Sequence, residues 1–265
     1  MSNRGFALLA VLWLLVALTA VGGVSIAVTR LGAATTRNRI LLARADWARE
    51  ACGEILFARY AQHAGVRALD TIDLGRGTWC AARLEDPGAK VNINLVDRQQ
   101  LLAALSGVSA PSSVTALTDS VIARRPFADV AELADLPGID SVMLGRLASL
   151  LTVRGPARVD LNAAPPDVLT TVPGLTIEAI RVILGRRAMG QPLTSADELA
   201  APISPPARKV LYGQYQDFLR AAAFAPAQLV AMVTGGVHGT RLTARATLTV
   251  VPLPERLAVV RREVE

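Results

Sequence analysis

The sequence predicts an α+β fold with a long N-terminal helix, a small antiparallel β-sheet head and a large inserted all-α domain. Three observations predict it. An uncharged apolar run, Phe6 to Thr29, continues into an amphipathic helical pattern. β-like segments lie on both sides of a helical stretch, and that stretch repeats itself. The 265 residues are enough for an anchor and one or two domains.

These patterns divide the chain into five parts. They are a leader (1–5), a transmembrane and amphipathic helix (6–64), the first part of a β head (65–94), an inserted duplicated helical domain (95–223) and the C-terminal part of the head (224–265).

The apolar run is long enough to cross a bilayer. Its 24 residues make about 36 Å of helix, against a hydrocarbon core of about 30 Å. A short polar leader ending in Gly5 precedes it, which suits entry into a protease groove. Two other interpretations remain: a plain signal anchor, or a secretory signal cut near Ser25-Ile26-Ala27. The run is longer than the usual apolar part of a secretory signal, which is about 7–15 residues.

The helical pattern continues past Thr29. Apolar residues recur at spacings of three and four and form one stripe, which comprises Leu41, Ala45, Ala48, Cys52, Ile55 and Leu56. Gly65 suits a C-terminal cap, so one helix is predicted from Phe6 to about Ala64.

Two regions have strand patterns. Arg76 to Asn94 is predicted to be β, with a turn at Asp86-Pro87-Gly88. In the tail, Leu242 to Val251 alternates and is rich in Thr and Val, and Leu257 to Val260 could pair with it.

The helical domain between them is duplicated. Val91-Asn92-Ile93-Asn94 matches Val159-Asp160-Leu161-Asn162, and Arg124-Arg125 with the following Pro-Phe matches Arg186-Arg187 with a later Pro-Leu. The offset stays between 62 and 68 residues. Each copy therefore carries two short helical hairpins.

The hairpin turns are similar to helix-hairpin-helix motifs, whose DNA-binding form uses two turn glycines to bring backbone N–H groups to a phosphate. The position of the second glycine holds Ser109, Asp140, Thr176 and Pro206. A carboxylate repels phosphate and proline has no N–H. The turns are therefore predicted to be packing units; a membrane-anchored helix-hairpin-helix DNA-binding protein is the alternative.

Charge and cysteine content leave several questions open. The net charge of +6 permits acidic partners, but the arginines are scattered along the sequence, which favours a solvated surface. Cys52 and Cys80 are predicted to be two buried thiols, or one disulfide in an oxidising compartment. No P-loop, GxSxG, HExxH or CxxC motif occurs, so the chain is predicted not to be an enzyme.

The leader resembles that of type IV pilins and pseudopilins. The resemblance implies cleavage by a prepilin peptidase between Gly5 and Phe6, and methylation of Phe6. Ala10 occupies the position where most of these proteins have Glu. In lacking this Glu, the chain resembles the general secretion pathway protein K family, the minor pseudopilins of type II secretion.

The likeness to that family covers leader, helix, inserted helical domain and β tail. It implies a subunit of the tip and initiation complex of the pseudopilus, which exports folded proteins across the outer membrane. The implied partners are the I and J subunits, bound through the helix stripe (Leu41, Ala45, Ala48, Cys52, Ile55), the major pseudopilin filament, and secretin or cargo. No nucleic acid is expected.

The family likeness also implies an inner-membrane anchor with the head in the periplasm. Charge counting favours the opposite orientation, because Arg30, Arg37, Arg39 and Arg44 follow the apolar run and only Arg4 and the N-terminal amine precede it. Heads of this family can bind calcium, but no Asp-rich loop of the usual spacing occurs, so no cofactor and no metal site are predicted.

Overall fold

The computed structural model describes residues 3–62, 67–108, 113–253 and 256–264, with backbone only for residues 3–10. It has the predicted α+β class: a long helix, a five-stranded sheet and a block of short helices between the second and third strands of that sheet. Gly65, the predicted helix cap, lies outside the described residues.

The N-terminal helix, α1 (Asn3–Gln62), is a single element. No proline interrupts its sequence, and Thr19, Ser25 and Thr29 direct their hydroxyls to carbonyls of the preceding turn rather than into the apolar surroundings. From Val11 to Ile40 its side chains are exposed. In the described residues it is the one helix long and apolar enough to cross a membrane.

The sheet is antiparallel throughout, and each of its five strands lies beside the next strand of the sheet in chain order. The strands are β1 (Ala68–Gly75), β2 (Thr78–Glu85), β7 (Leu229–Val237), β8 (Thr243–Leu253) and β9 (Arg256–Val264). Alternating burial in β2 and β8 shows that one face of the sheet is covered and the other is open. The predicted tail strands are confirmed.

The covered face of the sheet packs on the second half of α1. Leu56, Leu229 and Val250 are fully buried between the two layers. The closest approach is at Gly235 of β7, where a Cβ would overlap the Ala45 carbonyl oxygen and the Arg49 amide nitrogen. Glycine at this position therefore lets the helix backbone lie directly on the central strand.

Cys52 on α1 and Cys80 on β2 form a disulfide, with their Cα atoms 5.8 Å apart. This answers the question that the sequence left open. The bond ties the helix to the sheet inside their shared core and closes a loop with a sequence separation of 28.

The block of short helices has its own core. Its helices are α2 (Arg98–Ser106), α3 (Val114–Arg124), α4 (Ser141–Leu150), α5 (Pro166–Leu169), α6 (Ile177–Ala188), α7 (Ala196–Ala200), α8 (Pro205–Gly213) and α9 (Tyr215–Ala221). Side chains from both sequence copies, among them Leu101 and Ile183, are fully buried in one continuous cluster.

The prediction that Val91–Asn94 belongs to the head strands is wrong in one respect. The short strand β3 (Val91–Asn92) does not pair with β2; it pairs in parallel with β4 (Leu151–Thr152) at the end of α4. Val91 and Ile93 are fully buried in the core of the helical block. A strand pattern gives the extended conformation but not the partner, and here the partner lies about sixty residues further along.

The duplication is confirmed by matching contacts. In the first copy, Asn94 and Phe127 exchange two hydrogen bonds: the Asn94 amide donates to the Phe127 carbonyl (2.9 Å), and its oxygen accepts from the Phe127 N–H (2.8 Å). In the second copy Asn162 and Leu193 make the same pair, both at 2.8 Å. The second copy also has its own parallel pair, β5 (Val159–Asp160) with β6 (Ala222–Ala223).

Candidate functional site

The stripe predicted as an assembly face is the face that α1 presents to its own sheet. Ala45, Ala48 and Cys52 are fully buried, and Leu41 and Ile55 are partly buried against the same two clusters. The assignment of this stripe to partner subunits therefore needs correction, because another chain could reach these side chains only by displacing the sheet. A periodic apolar stripe looks the same in sequence whichever surface covers it.

A second apolar ridge on α1 is exposed. Ile40 is 51% and Trp47 58% exposed, and they lie two helical turns apart on one side of the helix, with Ala43 between them. Together with Leu74 and Arg76 at the end of β1 they line an open groove. We name Ile40, Ala43 and Trp47 the exposed ridge.

Charged contacts hold the outer edge of the sheet to α1. Arg262 of β9 donates to Glu50 Oε1 at 2.8 Å, and this hydrogen bond is the main cause that lowers the pKa of Glu50. Arg49, 6% exposed, reaches Asp46 at 3.2 Å beside the close contact at Gly235. Ile40 and Trp47 of the exposed ridge are the two most exposed large apolar side chains of helix residues 40–62.

The predicted processing residues are not placed by the structure. The side chains of Gly5, Phe6 and Ala10 lie outside the described part of the chain, where the backbone alone belongs to α1. Cleavage after Gly5, methylation of Phe6 and the missing glutamate at Ala10 stay predictions.

Two hairpin turns show what replaces the second glycine of the DNA-binding form. Gly138 and Gly174 keep the first glycine, with φ of 85° and 78°. Asp140 then caps α4, its carboxylate accepting from the Met143 N–H at 2.7 Å, and Thr176 caps α6 through the Ala179 N–H at 3.2 Å. Side chains of this chain therefore occupy the N–H groups to which a phosphate would bind.

The fourth turn is closed in another way. Pro205 and Pro206 begin α8 and lack N–H groups, and the Glu178 carboxylate accepts from the Ser204 N–H (2.7 Å) and the Ser204 hydroxyl (2.6 Å). Both bonds lower the pKa of Glu178, and the bond from the Ser204 hydroxyl has the larger effect. Ser109 of the first turn lies outside the described residues. The three described turns favour packing of helices over phosphate binding.

The paired arginines of the second copy also serve packing. Arg186 bonds Glu198 at 3.0 Å, and Arg187 donates from Nε to the Leu161 carbonyl (3.0 Å) and from Nη1 to the Ala164 carbonyl (2.6 Å). Burial lowers the pKa of Arg187, although the Asp160 carboxylate acts in the opposite direction. Arg187 therefore satisfies two backbone carbonyls of its own block, a contact that no sequence pattern indicates.

One carboxyl pair lies where the sheet meets the helical block. Asp86 follows β2 and caps the next turn by accepting from the Gly88 N–H at 2.8 Å, beside Asp160 of β5. Burial first, and then the neighbouring Asp160, raise the pKa of Asp86 to about 7. Within the described residues, no group of three or more His, Cys, Asp or Glu side chains is placed to hold a metal ion.

Comparisons with known proteins give one informative likeness. The chain matches no protein-family model and no curated protein. Among solved structures it is similar to a chain of the GspK-GspI-GspJ complex from the type 2 secretion system of enterotoxigenic Escherichia coli, with 15% identity and a TM-score of 0.61. The match covers 87% of this chain and 99% of that chain. Neither the helical block nor the rest of the chain alone makes up so large a share, so the match extends over both the sheet and the helical block.

Proposed function

We propose that this chain is a K-type minor pseudopilin of a type II secretion system, a structural subunit and not an enzyme. The observation that carries the proposal is the shared architecture: a membrane-length helix packed on an antiparallel sheet, with a duplicated helical block inserted between two neighbouring strands. A chain of that fold was solved as part of a GspK-GspI-GspJ complex. The fold alone is shared at this identity, so the role comes from fold and leader together.

The N-terminal segment supplies the second support. Gly5 and Phe6 stand at the junction of a polar leader and the apolar helix, so a prepilin peptidase would release a chain that starts at Phe6, which is then methylated. With Ala10 in place of a carboxylate, this subunit offers no charge partner for the amine of a subunit ahead of it. That suits a place at the tip of the filament, with the helical block outermost, near secretin or cargo.

The exposed ridge is the surface that we assign to the partner pseudopilins. Its side chains continue the lipid-exposed helix upward, and a partner anchored in the same membrane would bring its own helix alongside. Large apolar side chains beside a groove are the usual anchors of such helix contacts. The head would then lie in the periplasm, an oxidising compartment that maintains the Cys52–Cys80 disulfide.

The first test is the processing of the leader. Co-expression with a prepilin peptidase should give a protein whose intact mass and N-terminal sequence start at methylated Phe6, and Gly5→Ala should leave the precursor uncut and stop secretion. An intact Met1 in the unchanged chain, or normal secretion by the variant, would contradict the proposal. Gly22→Ala, in the same helix with open space around its Cα, is the control and should be cut normally.

The second test concerns the ridge. A photoreactive amino acid in place of Trp47 should cross-link to co-expressed I- or J-type pseudopilin. The same group in place of Leu42 is the matched control, because Leu42 is also exposed (43%) but lies on another side of α1. Equal cross-linking from both positions, or none, would contradict the assignment of the partner surface.

A further inference from the structure

The positive charge of the chain is concentrated at one end of the head. Three segments, 30–45, 74–79 and 235–245, hold seven arginines and no Asp or Glu. The whole chain has 28 Lys and Arg against 22 Asp and Glu, so outside these segments 21 basic residues face 22 acidic ones. The net charge of +6 therefore arises entirely from this end, although the arginines are scattered in the sequence.

The fold brings the three segments together. The β1–β2 turn and the β7–β8 turn are neighbours, joined by the His238 N–H to Gly77 carbonyl bond of 2.8 Å. Gly239, Thr240 and Leu242 of the second turn line a groove with helix residues 33–41. We name the seven side chains the basic collar; they are Arg30, Arg37, Arg39, Arg44, Arg76, Arg241 and Arg245.

The collar arginines are exposed and carry no ion pair in the part of the chain that the structure describes. The carboxylates that flank the segments are engaged elsewhere: Asp46 with Arg49 at 3.2 Å, and Asp73 with the Gly75 N–H at 2.7 Å. Arg76 has a φ of 53°, the left-handed region that a residue with a Cβ rarely adopts. An unpaired cation is thus held at the tip of a tight turn, between two glycines.

The position of the collar along α1 identifies what it faces. Arg30 directly follows the apolar run, and the β7–β8 turn lies beside helix residues 33–41, about 5–17 Å further along the axis. Electrostatic attraction to a charged surface extends over a Debye length of about 8–10 Å, and membrane helices tilt by about 20° on average. The part of the collar nearest the apolar run therefore lies within reach of the headgroups on this side of the bilayer, and tilt of the helix brings the rest of the collar closer to them.

We propose that the basic collar binds anionic phospholipid headgroups of the bilayer that holds α1, and so fixes the height and tilt of the head before assembly. This rests on the membrane anchorage in the proposed function. It also accounts for the arginines that follow the apolar run. They are placed to neutralise lipid phosphate on the side of the membrane where the head lies, whereas charge counting treats them only as a topology signal.

The test uses the full chain in lipid nanodiscs of phosphatidylcholine alone, or of phosphatidylcholine with about one third phosphatidylglycerol. His238→Cys places a fluorophore on the exposed β7–β8 turn, since the two native cysteines are bonded to each other. A nitroxide on the lipid headgroup quenches it at short range. We expect at least about twofold more quenching with phosphatidylglycerol, and loss of that excess in high salt.

The variant Arg76→Ser/Arg241→Ser/Arg245→Ser should lower quenching to the value in phosphatidylcholine alone. Arg146→Ser/Arg181→Ser/Lys209→Ser removes equal charge from exposed positions of the helical block and should leave quenching unchanged. Equal quenching in both lipids would overturn the proposal. A collar that binds duplex DNA, while the quenching shows no dependence on lipid, would also overturn it. Failure of the chain to stay in the nanodisc would instead remove the anchorage itself, and with it the proposed function.

Discussion

At the scale of single residues, the carboxyl pair at the junction of sheet and helical block stands out. Asp86 keeps one oxygen on the Gly88 N–H, while its other oxygen is buried without a donor and Asp160 lies alongside. Two carboxylates in such a site repel each other unless one of them holds a proton. Protonation of Asp86 thus converts a repulsive contact into a hydrogen bond across the junction.

This arrangement predicts a specific pH dependence of stability. The pKa of Asp86 rises from 3.8 in the unfolded chain to about 7 in the fold, so the folded state holds the extra proton between these values. The stabilisation of the fold by this proton is therefore fully present below about pH 4 and decreases as the pH rises towards 7. Above about pH 7 it is lost and does not change further. Asp86→Asn keeps the acceptor for Gly88 and adds a permanent donor towards Asp160. At pH 8 it should raise the free energy of unfolding by about 1–2 kcal/mol, after allowance for partial exposure.

The measurement is thermal unfolding of both proteins in the same detergent from pH 4 to pH 8. The difference between them should disappear at pH 4. Asp129→Asn is the matched control, because Asp129 makes the same kind of cap, to the Ala131 N–H at 2.8 Å, on an exposed turn. A pH slope in Asp86→Asn equal to that of the unchanged protein would show that the pair is not the cause.

At the scale of secondary-structure elements, the contact between α1 and the sheet depends on Gly235. Gly235→Ala would place a methyl group against backbone atoms of Ala45 and Arg49, which cannot move aside as a side chain can. We expect a loss of about 2–3 kcal/mol in unfolding free energy, the upper part of the range for overpacking. Thermal unfolding, read by the circular dichroism of the sheet and helix together, measures it.

Gly53→Ala is the control for this substitution on the other side of the same interface. Its new Cβ would meet only Leu248 Cδ1, at an ordinary 3.9 Å. Alanine is also the better helix former by about 1 kcal/mol. This variant should therefore be as stable as the unchanged protein or more so. Equal destabilisation by both variants would mean that the close approach at Gly235 does not limit the packing.

Much of the element level was accessible from sequence. The unbroken helical period predicted α1, alternation predicted the tail strands, and paired motifs such as Asn94 and Asn162 predicted two structural copies. β1 was missed because its pattern is irregular: its register against β2 shifts twice. Partners were the harder problem, since β3 and the helix stripe have patterns that fit more than one neighbour.

At the scale of the whole molecule, two separate cores lie within one chain. The sheet and α1 enclose the core around Cys52, Leu56 and Val250, and the helical block encloses another around Leu101 and Ile183. Distant segments also combine on the surface, as in the basic collar. No pattern in a linear sequence shows such a surface, because the sheet register sets which turns become neighbours.

The register of the sheet predicts that the helical block can be removed. Glu85, the last residue of β2, pairs with Val230 of β7, so the two ends of the insertion lie side by side. A short Asn-Gly-Ser loop in place of residues 86–228 would turn these strands into an ordinary hairpin. Because the block contributes no member of the sheet core, the shortened chain should keep the Cys52–Cys80 bond and a cooperative thermal transition.

The shortened chain should also still be cut at Gly5 by a prepilin peptidase but should fail to support secretion, since the part assigned to the tip is gone. Mass spectrometry without reductant reports the disulfide, and N-terminal sequencing reports the cut. A shortened chain that aggregates or lacks the disulfide would show that the two cores depend on each other, whereas one that restores secretion would show that the helical block has no role at the tip.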